Sequence, residues 1–237
     1  MALPTLTSLY LYQDEYIFAL NKPAGLHSVG LKSGGGASLA DLLLAHSPDL
    51  ATISKQECDA GLVQRLDFDT SGIILGAKTK EAWTLLHKEI TSGALIKRYI
   101  ALVDGDFRES ATISSYIGSP NRGAKKMRSY KDLPTGNIRA LFGTSNFVPF
   151  KTTEDNCRSF VEVSASPARR HQVRVHAAQL GHPLTGDTLY GSTQCLPNKL
   201  QQTSRAFFLH AHYIKGIHPI TKQPIEIHSC LEHVGIG

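Results

Sequence analysis

Gln64-Arg-Leu-Asp-Phe-Asp-Thr-Ser-Gly72-Ile-Ile-Leu-Gly-Ala77 is the stretch on which the reading turns. Its first nine residues hold two carboxylates, an arginine, two hydroxyls and a glycine, and a short apolar run follows directly. Ile73 to Ala77 reads as a buried strand, so the polar loop is delivered to the edge of a core. A carboxylate in such a place is either ionised and paired or protonated, because lone buried charge is too costly. The plainer reading is a turn in which Asp69 or Thr70 caps local amides and Gly72 relieves the backbone.

Outward from this loop, Thr79 is placed to cap a helix whose Ala82, Leu85, Leu86 and Ile90 recur at helical spacing, with Gly93 ending it. Leu95 to Val103 is apolar and rich in branched residues, as in a central strand. Toward the N-terminus, Leu9 to Tyr12 and Tyr16 to Leu20 flank Gln13-Asp14-Glu15 as a hairpin, and Ser38 with Asp41 signals a short helix through Leu42, Leu43 and Leu44. A glycine-rich connector, Gly30 to Gly36, lies between them. Toward the C-terminus come strands near Thr112 to Ile117, Ala140 to Phe150, Phe160 to Val163 and Phe207 to Ile214. The last turns at His218-Pro219 and returns through Ile225 to Ile227. A helix from about Gln172 to Leu180 interrupts them. Strands often follow one another without an intervening helix, which predicts an α+β fold with a mixed, mainly antiparallel sheet flanked by helices and loops.

The chain has 237 residues, 41% of them hydrophobic and 19% charged, which is ordinary globular composition and excludes a disordered polymer. No apolar stretch approaches the ~20 residues of a membrane-spanning helix. The first residues, Met1-Ala-Leu-Pro4, carry no basic region ahead of an apolar run, which argues against a secretory leader. Cys58, Cys157, Cys195 and Cys230 lie far apart with no C-x-x-C pair. That favours four reduced thiols in a cytoplasmic protein over a zinc ribbon or disulfide scaffold, and no metal site is expected.

Twenty-five Lys and Arg oppose 20 Asp and Glu, and the excess is concentrated. Residues 119–131 hold Arg122, Lys125, Lys126, Arg128 and Lys131 with no acid, and residues 163–176 hold Arg169, Arg170 and Arg174 with none. Two acid-free basic stretches suit contacts to a polyanion, although solvated loops would look the same. Arg170 and Arg174, four apart on one helix face, can hold a phosphate or neutralise a carboxylate.

Five segments taken in order carry a resemblance. Asn21-Lys-Pro-Ala-Gly25, Gln64-Arg-Leu-Asp-Phe-Asp-Thr-Ser-Gly72, Lys97-Arg-Tyr-Ile-Ala-Leu-Val-Asp-Gly105, Ala168-Arg-Arg-His-Gln-Val-Arg-Val-His176 and Gly181-His-Pro-Leu-Thr-Gly-Asp-Thr-Leu-Tyr-Gly191 together resemble the motifs of the RluA-type family of RNA pseudouridine synthases. The likeness runs from about Leu11 to Ile227. Three features depart from it: Gln64 stands for the usual His, Ala168 for a common Gly, and Asn121 to Phe150 follows no family wording.

The resemblance implies the pseudouridine synthase fold as a single catalytic domain over 1–237, without a separate N-terminal RNA-binding module. It implies an isomerase that converts uridine to pseudouridine in structured ribosomal or transfer RNA, with no cofactor, no obligatory protein partner and a monomeric state. Asp67 matches the family's catalytic aspartate, Arg174 the arginine that pairs with it, and Tyr99 the aromatic lying against the base. A guanidinium beside a carboxylate favours its ionised form, so Asp67 is expected to act as an anion. Arg65 resembles the arginine that fills the space left by a flipped nucleotide. Lys125, Lys126, Arg128, Arg169 and Arg170 are expected to hold phosphates. Lys22 looks structural or phosphate-facing.

Two rival functions follow from the same residues. Asp69-Thr-Ser-Gly72 spells the active-site tetrad of aspartic proteases, but that chemistry needs a second carboxylate and no second copy occurs in the chain. A catalytically silent RNA-binding protein of the same fold would have lost the aspartate, arginine or tyrosine, and all three are present.

Overall fold

The computed structural model describes residues 5–30, 37–121, 123–200 and 206–230. Most of the expected glycine connector, Met1 to Pro4, and Arg122 of the first basic stretch lie outside the described residues. The chain divides into two compact units, one from Met1–Leu95 with Ala211–His233, the other built on Ile96–His210.

In chain order the elements are β1 (Tyr10–Gln13), β2 (Ile17–Lys22), α1 (Leu39–His46), β3 (Ser71–Ala77), α2 (Lys80–Ser92), β4 (Ile96–Asp104) and β5 (Ala111–Gly118). There follow β6 (Arg128–Tyr130), β7 (Ala140–Thr152), β8 (Arg158–Ser166), α3 (Gln172–Gln179), β9 (Leu209–Ile217) and β10 (Pro224–His228). Every strand and helix anticipated from the sequence is present. The structure lengthens the strand at Phe160 to Val163 into the whole of β8 and shifts the one at Phe207 to Ile214 by two or three residues.

In the first unit the strands run in the order β1-β2-β3-β9, with β10 on β9, and β1–β2, β2–β3 and β9–β10 are antiparallel. Alternation along β2 sorts the core into two layers. Ile17 and Ala19 join Ile73, Leu75 and Ala77 under Ala82, Trp83, Leu86 and Ile90 of α2. Phe18, Leu20 and Ile74 face the other way, onto Leu39, Ala40 and Leu43 of α1. The helix ends behave as their sequences require: Ser38 and Asp41 close a reciprocal capping box, Thr79 accepts from the Ala82 amide, and left-handed Gly93 terminates α2.

The second unit orders its strands β4-β8-β7-β5-β6, all antiparallel neighbours. The inward face of β5 and β7 carries α3. His176, 0% exposed, takes the hydroxyl of Ser115 on one ring nitrogen and that of Ser145 on the other, each at 2.8 Å. Gln172 donates to the Thr144 carbonyl at 2.9 Å. The helix is thus sewn to the sheet by buried polar groups that satisfy one another. The two units together are α+β with mainly antiparallel strands.

Candidate active site

Asp67 lies in the first unit, in the loop before β3, and the loop is held from below by the segment after β2. Lys22 is wholly buried, and its ammonium donates to the carbonyls of Pro23 at 2.9 Å, Leu26 at 2.8 Å and Phe68 at 3.4 Å. The Gly25 amide donates to the Phe68 carbonyl at 2.9 Å. Ser28 clasps Leu66 twice, its hydroxyl donating to the carbonyl at 2.9 Å and accepting from the amide at 3.0 Å. The residues on both sides of Asp67 are therefore fixed by Asn21-Lys-Pro-Ala-Gly25 and its continuation. Lys22 is structural, the first of the two roles left open by its sequence.

The loop closes on itself through the Thr70 amide, which donates to the Asp67 carbonyl at 3.1 Å. Gly72 then enters β3 at φ +107°, where a Cβ would overlap the backbone of Ala211. Any other residue would be excluded there by both conformation and space. Asp67 and Asp69 are partly buried, Thr70 is 2% exposed, and Arg65 and Phe68 reach solvent. Burial raises the carboxyl of Asp59 above its ordinary range, and the positive charge of Arg65 partly opposes that.

Tyr99 and Arg174 belong to the second unit. Tyr99 sits on β4 opposite Val163, 8% exposed. Lys97 shares its side of the strand, and burial pushes its ammonium down to about 7. Arg174 is not part of a solvated arginine face. Its Nε and Nη2 donate to the two carboxylate oxygens of Asp187, at 2.7 and 2.9 Å, and the side chains are 9% and 2% exposed. Its guanidinium carbon stands 4.9 Å from the Tyr190 ring centroid and 4.4 Å from that of Phe207. Buried charge is thereby paired, stacked and geometrically fixed. A guanidinium carries five N–H donors, so holding Asp187 does not exhaust it.

A chain of contacts continues from this pair. Arg174 Nη1 lies 3.3 Å from His171 Nε2, His171 Nδ1 lies 2.8 Å from the Tyr190 hydroxyl, and that hydroxyl accepts from the Met127 amide at 2.9 Å. With Nε2 accepting from Arg174, the imidazole proton is on Nδ1 and is donated to Tyr190. His171 holds a left-handed backbone, φ 55°, at the N-cap of α3, which lets the ring leave the helix axis toward Tyr190.

The basic residues divide by environment. Lys125, Lys126, Arg128 and Arg170 are exposed, and Lys126 lies over Tyr190 with Nζ 5.3 Å from the ring centroid. Arg169 is half-buried, donating from Nε to the Phe142 carbonyl at 3.0 Å. Asp187, Tyr190 and His171 were given no chemical role from sequence. The signal was in the quoted motif: Gly186-Asp-Thr-Leu-Tyr-Gly191 places an acid and a phenol at a fixed distance after the arginine helix.

The model of the family described as RNA pseudouridylate synthase matches residues 16–179. An uncharacterized RNA pseudouridine synthase of Bacillus subtilis is 35% identical over 219 residues, covering 91% of this chain and 66% of its own. The ribosomal large subunit pseudouridine synthase D of Xylella fastidiosa is 32% identical, covering 92% of this chain and 64% of its own. This chain thus spans about two thirds of the length of these curated relatives. The structure of human RNA pseudouridylate synthase domain containing 1 shares the fold, with a TM-score of 0.67 and 24% identity over 97% of this chain and 86% of that one. Matched over most of its length and carrying the five segments in order, the chain belongs to the RluA-type branch of the RNA pseudouridylate synthase family.

Proposed function

We propose that the protein isomerises uridine to pseudouridine within a structured RNA, with Asp67 as the essential carboxylate, Arg174 as its guanidinium partner and Tyr99 as the aromatic against the base. The reading is carried by the family match together with the retention of all three residues in their motifs. The anchoring of the Asp67 loop by Lys22 and of Arg174 by Asp187 supports it, since a charge poised for reaction needs a support that does not relax.

The reaction moves one bond. The uracil N1–C1′ bond breaks, a C5–C1′ bond forms to the same ribose, C5 gives up its proton and N1 ends protonated. Nothing is oxidised or reduced. An ionised carboxylate oxygen serves any route to the bond exchange. A phenol flat against the ring keeps the freed base from leaving and is placed to help move the C5 proton. The target uridine must first be turned out of its stack, at a cost of a few kcal/mol. Arg65, exposed beside the loop, is the residue to occupy the vacated space, while Lys125, Lys126, Arg128, Arg169 and Arg170 position the strand through phosphates.

Ribosomal RNA is the first substrate to test, because relatives with more than 30% identity are named for the large ribosomal subunit. Transfer RNA is the second. Unmodified ribosomal and transfer RNA should be incubated with the protein and their pseudouridines mapped. New pseudouridine at a defined position supports the reading, and none in either RNA contradicts it.

A further inference from the structure

We infer that the face of β5, β6 and β7 turned away from α3 is a stacking platform for single-stranded RNA bases, formed by Tyr130, Tyr116 and Phe142. Tyr116 pairs directly with Tyr130 on β6 and with Phe142 on β7, so the three rings form one row across three strands on one side of the sheet. Their neighbours Ser115, Ile117, Gly143 and Ser145 point to the other side, where Ser115 and Ser145 hold α3. The Tyr116 and Phe142 rings are 5.3 Å apart at 68°. Phe142 is 47% exposed, a large aromatic surface for water to cover.

The surroundings choose the occupant. Next to the row the same face carries hydroxyl and amide pairs, Ser114 with Thr144 at 2.9 Å and Thr112 with Asn146 at 3.0 Å, and the exposed Val148 comes only beyond them. An interface for an apolar protein surface would continue as carbon directly from the rings. Arg128 is on the row's side of β6, two residues before Tyr130, and the Arg169 guanidinium rests at the Phe142 carbonyl. Lys125 is exposed just before β6, within a stretch that has no acid from 119 to 131. Aromatic rings on a sheet, rimmed by cations, bind unstacked bases by their π-faces and the backbone by charge. Tyr130 and Phe142 fall in Asn121 to Phe150, the segment outside the five motifs that carry the resemblance.

The inference rests on the reading of the protein as an RNA-modifying enzyme. It is tested by fluorescence anisotropy with fluorescein-labelled octauridine. Phe142→Leu should weaken binding roughly tenfold with an unchanged dependence on salt, and Phe142→Tyr should restore it. Arg128→Ala should weaken binding and lower the salt slope by about one. Should Phe142→Leu fail to fold, Phe142→Trp replaces it, and octauridine should quench emission that the wild type, with Trp83 alone, does not show. Wild-type affinity in folded Phe142→Leu, no quenching in Phe142→Trp, or equal affinity for a duplex of the same length overturns the platform. Tritium release from C5-labelled RNA by the wild type is measured beside these. Release with unaltered Phe142→Leu binding removes the platform and leaves the isomerase. No release with weakened Phe142→Leu binding does the reverse.

Discussion

Arg174 meets Asp187 side-on, Nε and Nη2 each on a different carboxylate oxygen, with the guanidinium near the rings of Tyr190 and Phe207. This arrangement fixes the arginine in plane and in rotation before any substrate arrives. A flexible arginine would have to be ordered at the moment of reaction, at a cost the pair has already met in folding.

Under the proposed function the pair makes Asp187 a positioning residue. Asp187→Ala removes the carboxylate that a buried guanidinium holds at two points and should cost about 3–5 kcal/mol of stability, read from urea midpoints. Asp187→Asn keeps the shape and should fold, yet lower kcat for tritium release at least tenfold with RNA affinity nearly unchanged. Arg174→Lys should not restore either property, because an ammonium cannot make the side-on pair. Normal kcat in folded Asp187→Asn would remove the role.

Lys22 offers a parallel case in the first unit. Lys22→Met abandons three carbonyls in a buried site and should lose about 2–4 kcal/mol. Since one carbonyl belongs to Phe68, next to Asp67, kcat should fall further than KM rises. A destabilised variant with full kcat would confine Lys22 to folding.

Burial holds His176 down to about 4 in the folded protein, against 6.5 for the free side chain. The unfolded chain therefore binds more protons between those values, so stability is full above about pH 6.5 and declines as pH falls toward 4. The loss is of order 2–3 kcal/mol, since each pKa unit is worth about 1.4 kcal/mol. Urea midpoints measured from pH 7 to pH 4.5 should fall in the wild type and less steeply in His176→Gln. An equal slope in both would assign the acid sensitivity to other groups.

What the sequence disclosed and what it withheld have one physical origin. Ser38 with Asp41, and Thr79 with Gly93, mark helix ends through groups three to fourteen residues apart, and both helices stand where those marks place them. The apolar run of β2, buried on both faces, was equally local. β6 was missed because Arg128, Ser129 and Tyr130 form a strand only by pairing with Tyr116, Ile117 and Gly118, and the segment had been read by its charge. The same distance hid the Lys22 clamp, which reaches across 46 residues to Phe68, and the union of Arg174 with Asp187 across a helix end and a turn. A motif names such residues together without saying which touches which.

The aspartate at the centre of the proposal is tested most directly by replacing one oxygen. Wild type and Asp67→Asn should be compared for tritium released from C5-labelled uridine in total RNA, with circular dichroism melts run on both. Release by the wild type, none by Asp67→Asn and coincident melts are predicted. Wild-type release from Asp67→Asn would contradict the account.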